Sequence, residues 1–213
     1  MRTMKESLPE EPALPPAQGE EEHLSLALVN SAVALPGGHT IDLLGTPAQA
    51  NRWLTARGLA PVDAGMRDMC AAQLRSLREQ IRSLFASRAA KLPALPAAVA
   101  VVNDAMTRVP ATPLLQWDDK TGPYRSTPHP TTAIVEHALA VLAADAADLL
   151  TGPDAERLTA CGSAPCSRYL LRHGRRHWCS TRCGDRARAA RAYARRTNAP
   201  QGTHGTEAAT AQD

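Results

Sequence analysis

The chain has few aromatic residues and no long apolar run, and both shortages restrict its class. Phenylalanine, tryptophan and tyrosine together make up 3% of the 213 residues. No stretch approaches the ~20 apolar residues that a membrane helix needs, so we expect no membrane association. Residues 1–22 also lack the basic and apolar pattern of a secretory signal peptide, which predicts a cytoplasmic protein.

Motifs that would indicate an enzyme or a secreted disulfide scaffold are missing too. The region before the cysteine-rich end has no nucleophile–base pair, no glycine-rich phosphate loop and no paired carboxylate motif. We therefore expect no enzymatic activity, and an enzymatic or ligand-binding N-terminal domain stays an alternative. Five cysteines, four of them within 23 residues, do not resemble a secreted disulfide framework. Thiols so spaced in a reducing cytosol indicate a metal site.

What is present is an alanine- and leucine-rich pattern that predicts helices separated by proline and glycine. Residues 23–35 fit a strand or a helix, and we favour a helix. Thr46-Pro47 begins a second helix, which runs to Arg57 and stops at Gly58. Further helices are predicted at 64–90 (capped by Asp63, with Cys70 on the apolar stripe that begins at Met66), 97–109 and 131–150, and a small β-hairpin at 114–127.

The four clustered cysteines form two pairs. Four residues separate Cys161 from Cys166, three separate Cys179 from Cys183, and twelve lie between the pairs. Four thiolates meet the tetrahedral demand of structural zinc, with sulfurs about 2.3 Å from the ion. We predict one structural Zn²⁺, closed to water, whose binding folds this module. An additional oxidation switch that ejects the metal stays open, and the histidines at 129, 173 and 177 are not needed as ligands.

Arginine is concentrated at the same end of the chain. Residues 161–196 hold ten arginines and one acid, Asp185, and therefore carry +9, whereas the rest of the chain sums to −6. Arg188, Arg191 and Arg195 recur at helical spacing and share one face. The alanines at 187, 190 and 194 line another face, which we expect to dock on the zinc loops.

This basic helix predicts binding to double-stranded DNA, because arginine contacts phosphates and matches the guanine edge. The predicted contacts are Arg175, Arg176, Arg182, Arg186, Arg188, Arg191, Arg195 and Arg196. The alternatives are a solvated basic face and a zinc-stabilised module that binds the acidic part of the chain or a partner protein. Because a single finger makes few base contacts, specificity suggests a homodimer.

The segment RLTACGSAPCSRYLLRHGRRHWCSTRCGDRARAARAYARR, residues 157–196, resembles the CGNR zinc finger of bacterial proteins. The signature of that family ends in RRWCS, which is followed a few residues later by CGNR and a basic run. Here His177 is inserted before the tryptophan, and Asp185 replaces the asparagine. We expect Asp185 to cap the helix rather than to read a base.

The upstream segments LSLALVNS and WLTARGL, together with the Trp117–Arg125 stretch, more loosely resemble the ABATE domain that precedes this finger. The resemblance implies a stress-induced transcription regulator whose helical domain dimerises or senses a small-molecule effector. For Asn30 and Arg125 we expect structural roles rather than ligand contacts.

These observations predict a mainly α fold: a helical N-terminal domain with a small β-hairpin, followed by a C-terminal treble-clef-like zinc finger. The predicted segments are a disordered leader at 1–22, the helical domain at 23–157, the finger at 158–197 and a disordered tail at 198–213.

Overall fold

The fold is mainly α, as predicted. The computed structural model describes residues 14–62, 64–109, 114–126 and 133–197. The helices in these ranges are α1 (Leu24–Val29), α2 (Pro47–Thr55), α3 (Asp68–Ala90), α4 (Pro96–Arg108), α5 (Ile134–Thr151) and α6 (Thr181–Thr197). The strands form three antiparallel pairs: β1 (Ala32–Ala34) with β2 (Thr40–Asp42), β3 (Leu114–Asp118) with β4 (Gly122–Ser126), and β5 (Leu158–Ala160) with β6 (Tyr169–Leu171).

Helix α3 is the centre of the main core and contacts α1, α2, α4 and α5. The apolar stripe predicted for this helix faces the core, where Leu74 and Ile81 are fully buried. Cys70 is half-buried against the same core, as predicted. Helix α5 buries its predicted stripe from Val135 to Leu149. Aliphatic and alanine side chains at helical spacing therefore build this core, which needs few aromatic rings.

The predicted start of α2 is confirmed, whereas α3 begins later in the sequence than predicted. Thr46 and Gln49 form a capping box at the start of α2, with Pro47 in the first turn. Helix α3 begins at Asp68 rather than at residue 64. Gly65 has a φ of +61°, a left-handed conformation that cannot continue a right-handed helix. The predicted cap of α3, Asp63, lies outside the described residues.

The single helix predicted for residues 23–35 is wrong in its second half. Helix α1 ends at Val29, and Val33 pairs with Ile41 across a short hairpin. The turn of this hairpin contains Gly37 and Gly38, whose φ angles are +82° and +77°. Because glycine adopts such angles without strain, this turn folds β2 back on β1.

The predicted disordered leader, residues 1–22, differs from the structure in its last part. The segment 14–22 lies against the finger, where Ala17 is 3% exposed and the Gln18 carbonyl accepts a hydrogen bond from Leu171 N (2.8 Å). Gly19 has a φ of +96°, and a Cβ built there would lie 2.6 Å from the Leu171 side chain. A glycine is therefore required at this crossing. Residues 1–13 and the predicted tail, 198–213, lie outside the described residues.

The predicted hairpin at 114–127 is confirmed by the pairing of β3 with β4. The carboxylate of Asp118 organises its turn by accepting hydrogen bonds from the backbone N–H groups of Lys120 and Thr121. Trp117 and Tyr124 are largely exposed on the hairpin. None of the helices in the described ranges is both long enough and apolar enough to cross a membrane.

A partly buried ion pair joins α3 to the first hairpin. The Arg78 guanidinium, on a residue 4% exposed, donates to both carboxylate oxygens of Asp42 at 2.6 and 2.9 Å and to Ser31 Oγ at 3.1 Å. Burial alone would raise the pKa of Asp42, but hydrogen bonds from Arg78 and from Leu44 N hold it below the usual value. This contribution to stability is present at neutral pH and is lost as the pH falls through the folded-state pKa.

We expect Asp42→Asn to lower the free energy of unfolding by about 1–2 kcal/mol, because the buried Arg78 then keeps only the more exposed Glu79 as a charge partner. The effect stays below that of a fully buried pair because the Asp42 side chain is 34% exposed. Urea unfolding with zinc present measures it. Asp119→Asn, which removes an exposed carboxylate from the β3–β4 turn, is the matched control. Equal stabilities of the two variants would contradict a structural role for the ion pair.

Candidate metal centre and basic helix

The four paired cysteines converge on one point between β5, β6 and α6. Cys161 directly follows β5 and Cys166 precedes β6, whereas Cys179 lies just before α6 and Cys183 in its first turn. All four sulfurs lie within 4.8 Å of one another. The Cys166–Cys179 and Cys179–Cys183 sulfurs are 3.7 and 3.6 Å apart. Tetrahedral zinc with bonds of about 2.3 Å requires sulfur–sulfur distances of about 3.8 Å, so the donor set fits this ion.

Backbone hydrogen bonds shape the first cysteine loop and aim N–H groups at its sulfurs. Cys161 N donates to the Arg168 carbonyl (2.8 Å), and Cys166 N donates to the Ser163 carbonyl (2.9 Å). The N–H groups of Ser163 and Cys179 point at the Cys161 sulfur, and that of Arg168 points at the Cys166 sulfur. N–H donors stabilise thiolate, the form that binds metal.

The sulfurs lie too close together for all of them to be anionic without a cation. Hydrogen bonds from the Cys166 and Cys179 thiols lower the pKa of Cys161. The pKa values of Cys166 and Cys179 are raised, chiefly because each thiol donates its proton to the Cys161 sulfur. Four thiolates at this spacing therefore need a bound cation, and Cys161, Cys166, Cys179 and Cys183 are placed to hold one zinc ion with no ligand position left for water.

Little besides sulfur fills the interior of the finger around this point. The buried cluster consists of the cysteines with Ala17 and Leu170, and Trp178 packs against it. The apolar residues Leu158, Tyr169 and Leu171 of the finger face the main core instead. Metal coordination must therefore stabilise the outer part of the finger, which includes the start of α6.

Asn30 and Arg168 fasten the finger to the helical domain and to the 14–22 segment, respectively. The Asn30 side chain accepts from Tyr169 N (2.7 Å) and donates to the Tyr169 carbonyl (2.8 Å), which confirms a structural role for this residue. Arg168, 4% exposed, donates to Glu20 (2.5 Å) and to the Pro15 carbonyl (2.9 Å). Residues 161–196 contain ten arginines, and no local sequence pattern distinguishes Arg168 from the other nine.

Helix α6 is capped by a residue other than the one predicted. The Ser180 hydroxyl accepts from Cys183 N at 3.3 Å, which makes Ser180 the side chain at the helix start. The predicted cap, Asp185, lies a full turn into the helix and forms an exposed ion pair with Arg188. The prediction that Asp185 caps the helix is therefore wrong, because the second cysteine pair sets the helix start upstream of it.

The predicted DNA-contacting arginines divide into two groups. Arg186 lies on the finger side of α6, where its guanidinium donates to Ser163 Oγ (3.1 Å), to the Ser163 and Ala164 carbonyls and to the Cys183 sulfur (3.2 Å). The N–H groups of Arg186 therefore bond within the finger, and the one that donates to the Cys183 sulfur orients this zinc ligand. The exposed group consists of Arg175, Arg176, Arg182, Arg188, Arg191, Arg195 and Arg196. Within it, Arg188 and Arg191 lie 5.9 and 5.6 Å from the centroid of the Trp178 ring.

The predicted docking of the alanine stripe on the finger is wrong beyond the first turns of α6. Ala187 is half-buried beside Trp178, but Ala190 and Ala194 are exposed. The helix has 17 residues and is about 25 Å long, whereas the cysteine loop covers only its beginning. The C-terminal half of α6 therefore extends away from the finger with its arginines in solvent.

His173 and His177 are exposed, and His129 lies outside the described residues.

Arg186→Gln should weaken zinc binding about 10–100-fold, the usual effect of removing a group that orients a metal ligand. Chelator competition on the full-length protein measures this affinity. Arg182→Gln is the matched control, because Arg182 is exposed on the same helix. If the two variants retained zinc equally well, the contact between Arg186 and Cys183 would have no role in the metal site.

A cysteine loop, a β-hairpin and a helix whose first turn supplies the last ligand define a zinc-finger protein of the treble-clef kind. The CGNR zinc finger family matches residues 157–196. The ABATE family, described as "putative stress-induced transcription regulator", matches residues 22–153. The chain belongs to the ABATE family and carries a C-terminal CGNR zinc finger. A comparison with curated proteins found no match.

Proposed function

We propose that this protein is a cytoplasmic bacterial transcription regulator that binds double-stranded DNA through α6. One observation carries the proposal: the zinc centre anchors the first turn of a helix whose remaining turns expose arginines to solvent. Membership of a family of transcription regulators supports the same role. The arginines of this helix would contact phosphates, and those closest to the duplex would contact guanine edges in the major groove.

The geometry of α6 suggests which arginines contact DNA. Arg188, Arg191 and Arg195 lie within about 60° of one another around the helix axis, so they form one basic stripe. Arg186 lies about 160° from Arg188, on the finger side. We therefore assign the contacts to this stripe and to the exposed arginines at 175, 176, 182 and 196. Asp185 tethers Arg188, which leaves Arg191 and Arg195 as the main contacts of the stripe.

The helical domain has a separate part in the proposal. A single finger reads few bases, so two copies on adjacent half-sites would supply specificity, with the helical domain holding the dimer or responding to an effector. The competing function is a zinc-stabilised module that binds an acidic protein. The positive charge of the finger would suit either DNA or an acidic protein. Membership of a family described as transcription regulators favours DNA.

A salt titration of DNA binding tests the proposal. Fluorescence anisotropy with a labelled genomic duplex should show affinity that falls steeply with salt, with a log–log slope of about −0.9 per phosphate neutralised. If no duplex binds at low salt while zinc is fully retained, the DNA-binding role is contradicted. The competing function predicts that result.

A further inference from the structure

A cavity of about 320 Å³ lies where the helical domain, the finger and residues 14–20 meet. Its size is at the lower end of the ~300–1,000 Å³ typical of ligand pockets. Most of its wall is apolar. The apolar side chains come from the 14–16 segment, from α1 and from the first hairpin with the residue that follows it. The apolar residues are Leu14, Pro16, Ala27, Val33, Ile41 and Leu43.

Three charged side chains also line this cavity, and two of them already neutralise each other. Glu20 accepts from Arg168 (2.5 Å) and from the Asn30 amide (2.6 Å), so the carboxylate and the Arg168 guanidinium form a pair. The third charge is Arg57, which forms no ion pair with any residue that the structure describes. The charged groups of the wall therefore sum to about +1.

The Arg57 guanidinium is held against the neighbouring Trp53 ring. It lies 4.0 Å over the Trp53 ring and donates one hydrogen bond, from Nη1 to the Trp53 carbonyl (3.2 Å). This stacking fixes the plane of the guanidinium and leaves other N–H donors of its fork for a bidentate partner. Burial lowers the pKa of Arg57, and the nearby Glu20 carboxylate only partly opposes this shift.

We propose that this cavity binds a small organic carboxylate with an apolar body, and that Arg57 recognises its carboxylate. A wall with a net charge of about +1 suits a monoanion, and its apolar part suits an aliphatic or aromatic body. A phosphate ester would bring close to two negative charges and would need a second free cation.

The cavity also contacts the zinc centre through one residue. The Arg168 side chain lines the cavity, while its carbonyl accepts from Cys161 N (2.8 Å) and its N–H points at the Cys166 sulfur. A ligand that shifts the Arg168–Glu20 pair would therefore act directly on the first cysteine loop. Control of DNA affinity by this route rests on the proposed DNA-binding function, whereas ligand binding itself does not.

Calorimetry on the zinc-loaded full-length protein tests the assignment without DNA. The probes are hexanoate and benzoate, each compared with its neutral amide, hexanamide and benzamide. We expect at least one acid to bind and its amide to bind at least about tenfold more weakly, since the neutral amide cannot form charge-assisted hydrogen bonds with the guanidinium. Arg57→Gln should weaken the acid at least about tenfold. Arg52→Gln, which removes an exposed arginine from α2, should leave its binding unchanged.

The proposal is overturned if neither acid binds, if acid and amide bind equally, or if Arg57→Gln binds the acid as the wild type does. If Arg57→Gln does not fold, Arg57→Lys replaces it. Lysine keeps the charge but lacks the fork, so the acid should bind several-fold more weakly while still binding better than its amide. In a second arm, DNA affinity is measured with and without the bound acid. An unchanged DNA affinity overturns the coupling to the zinc centre alone, and absence of DNA binding overturns the proposed function alone.

Discussion

Cys183→Ser should abolish both retention of zinc and tight binding of DNA. Serine leaves three sulfurs around the ion and removes the ligand that lies in the first turn of α6. Structural zinc contributes about 10–16 kcal/mol to the folding of small fingers, and few other buried side chains support this one. Without zinc, α6 should behave as a tethered basic peptide whose affinity for DNA falls to the non-specific range, with a Kd of about 10⁻⁴–10⁻⁶ M at physiological salt.

Native mass spectrometry counts the zinc, and anisotropy with a duplex measures the affinity. Cys70→Ser is the matched control, because Cys70 lies on α3 against the main core and far from the cluster in sequence. The helical domain should stay folded in both variants, since its core contains helices that do not contact the metal. Full zinc content or unchanged DNA affinity in Cys183→Ser would contradict the dependence of DNA binding on the four-sulfur site.

Replacing the basic stripe, Arg188, Arg191 and Arg195, by glutamine should cause the second large effect. If each arginine neutralises one phosphate, the log–log salt slope should become less steep by about 2.7. The finger should remain folded, because these side chains are exposed and do not contact the cysteines. Zinc content provides the check on folding, and the salt titration provides the slope.

A triple variant of the helical domain separates this stripe from general positive charge. Arg52, Arg67 and Arg125 are exposed and lie outside the finger, and their replacement by glutamine removes the same net charge. That control should bind DNA with the wild-type slope. Equal changes in the two triple variants would indicate diffuse attraction rather than an interface on α6. No change in either would place the DNA-binding surface elsewhere.

Local sequence patterns predicted the parts of the structure in which the required chemistry is local. The spacing of the two cysteine pairs predicted a tetrahedral sulfur site, and the sulfurs converge as expected. Helical periodicity identified the buried stripes of α3 and α5, and the Thr46-Pro47 dipeptide identified the start of α2. Each of these features depends on residues only a few positions apart.

The features that the sequence did not predict depend on contacts between distant segments. Residues 14–22 have a composition typical of disordered chains, yet Gly19 and Ala17 fit against β6 and the cysteine cluster. Asn30 and Arg168 are separated by more than a hundred residues from the partners that explain their burial, Tyr169 and Glu20. Arg186 looks like its neighbours in a basic run, and only the fold of the cysteine loop directs it inward.

The central claim is that one zinc ion, bound by four sulfurs, fixes the start of an arginine-bearing helix. X-ray absorption at the zinc edge on the natively purified full-length protein, together with its metal content, measures this directly. The structure predicts one zinc per chain and a first shell of four sulfurs at about 2.3 Å. Substoichiometric metal, or a first shell that contains nitrogen or oxygen in place of any of the four sulfurs, would contradict it.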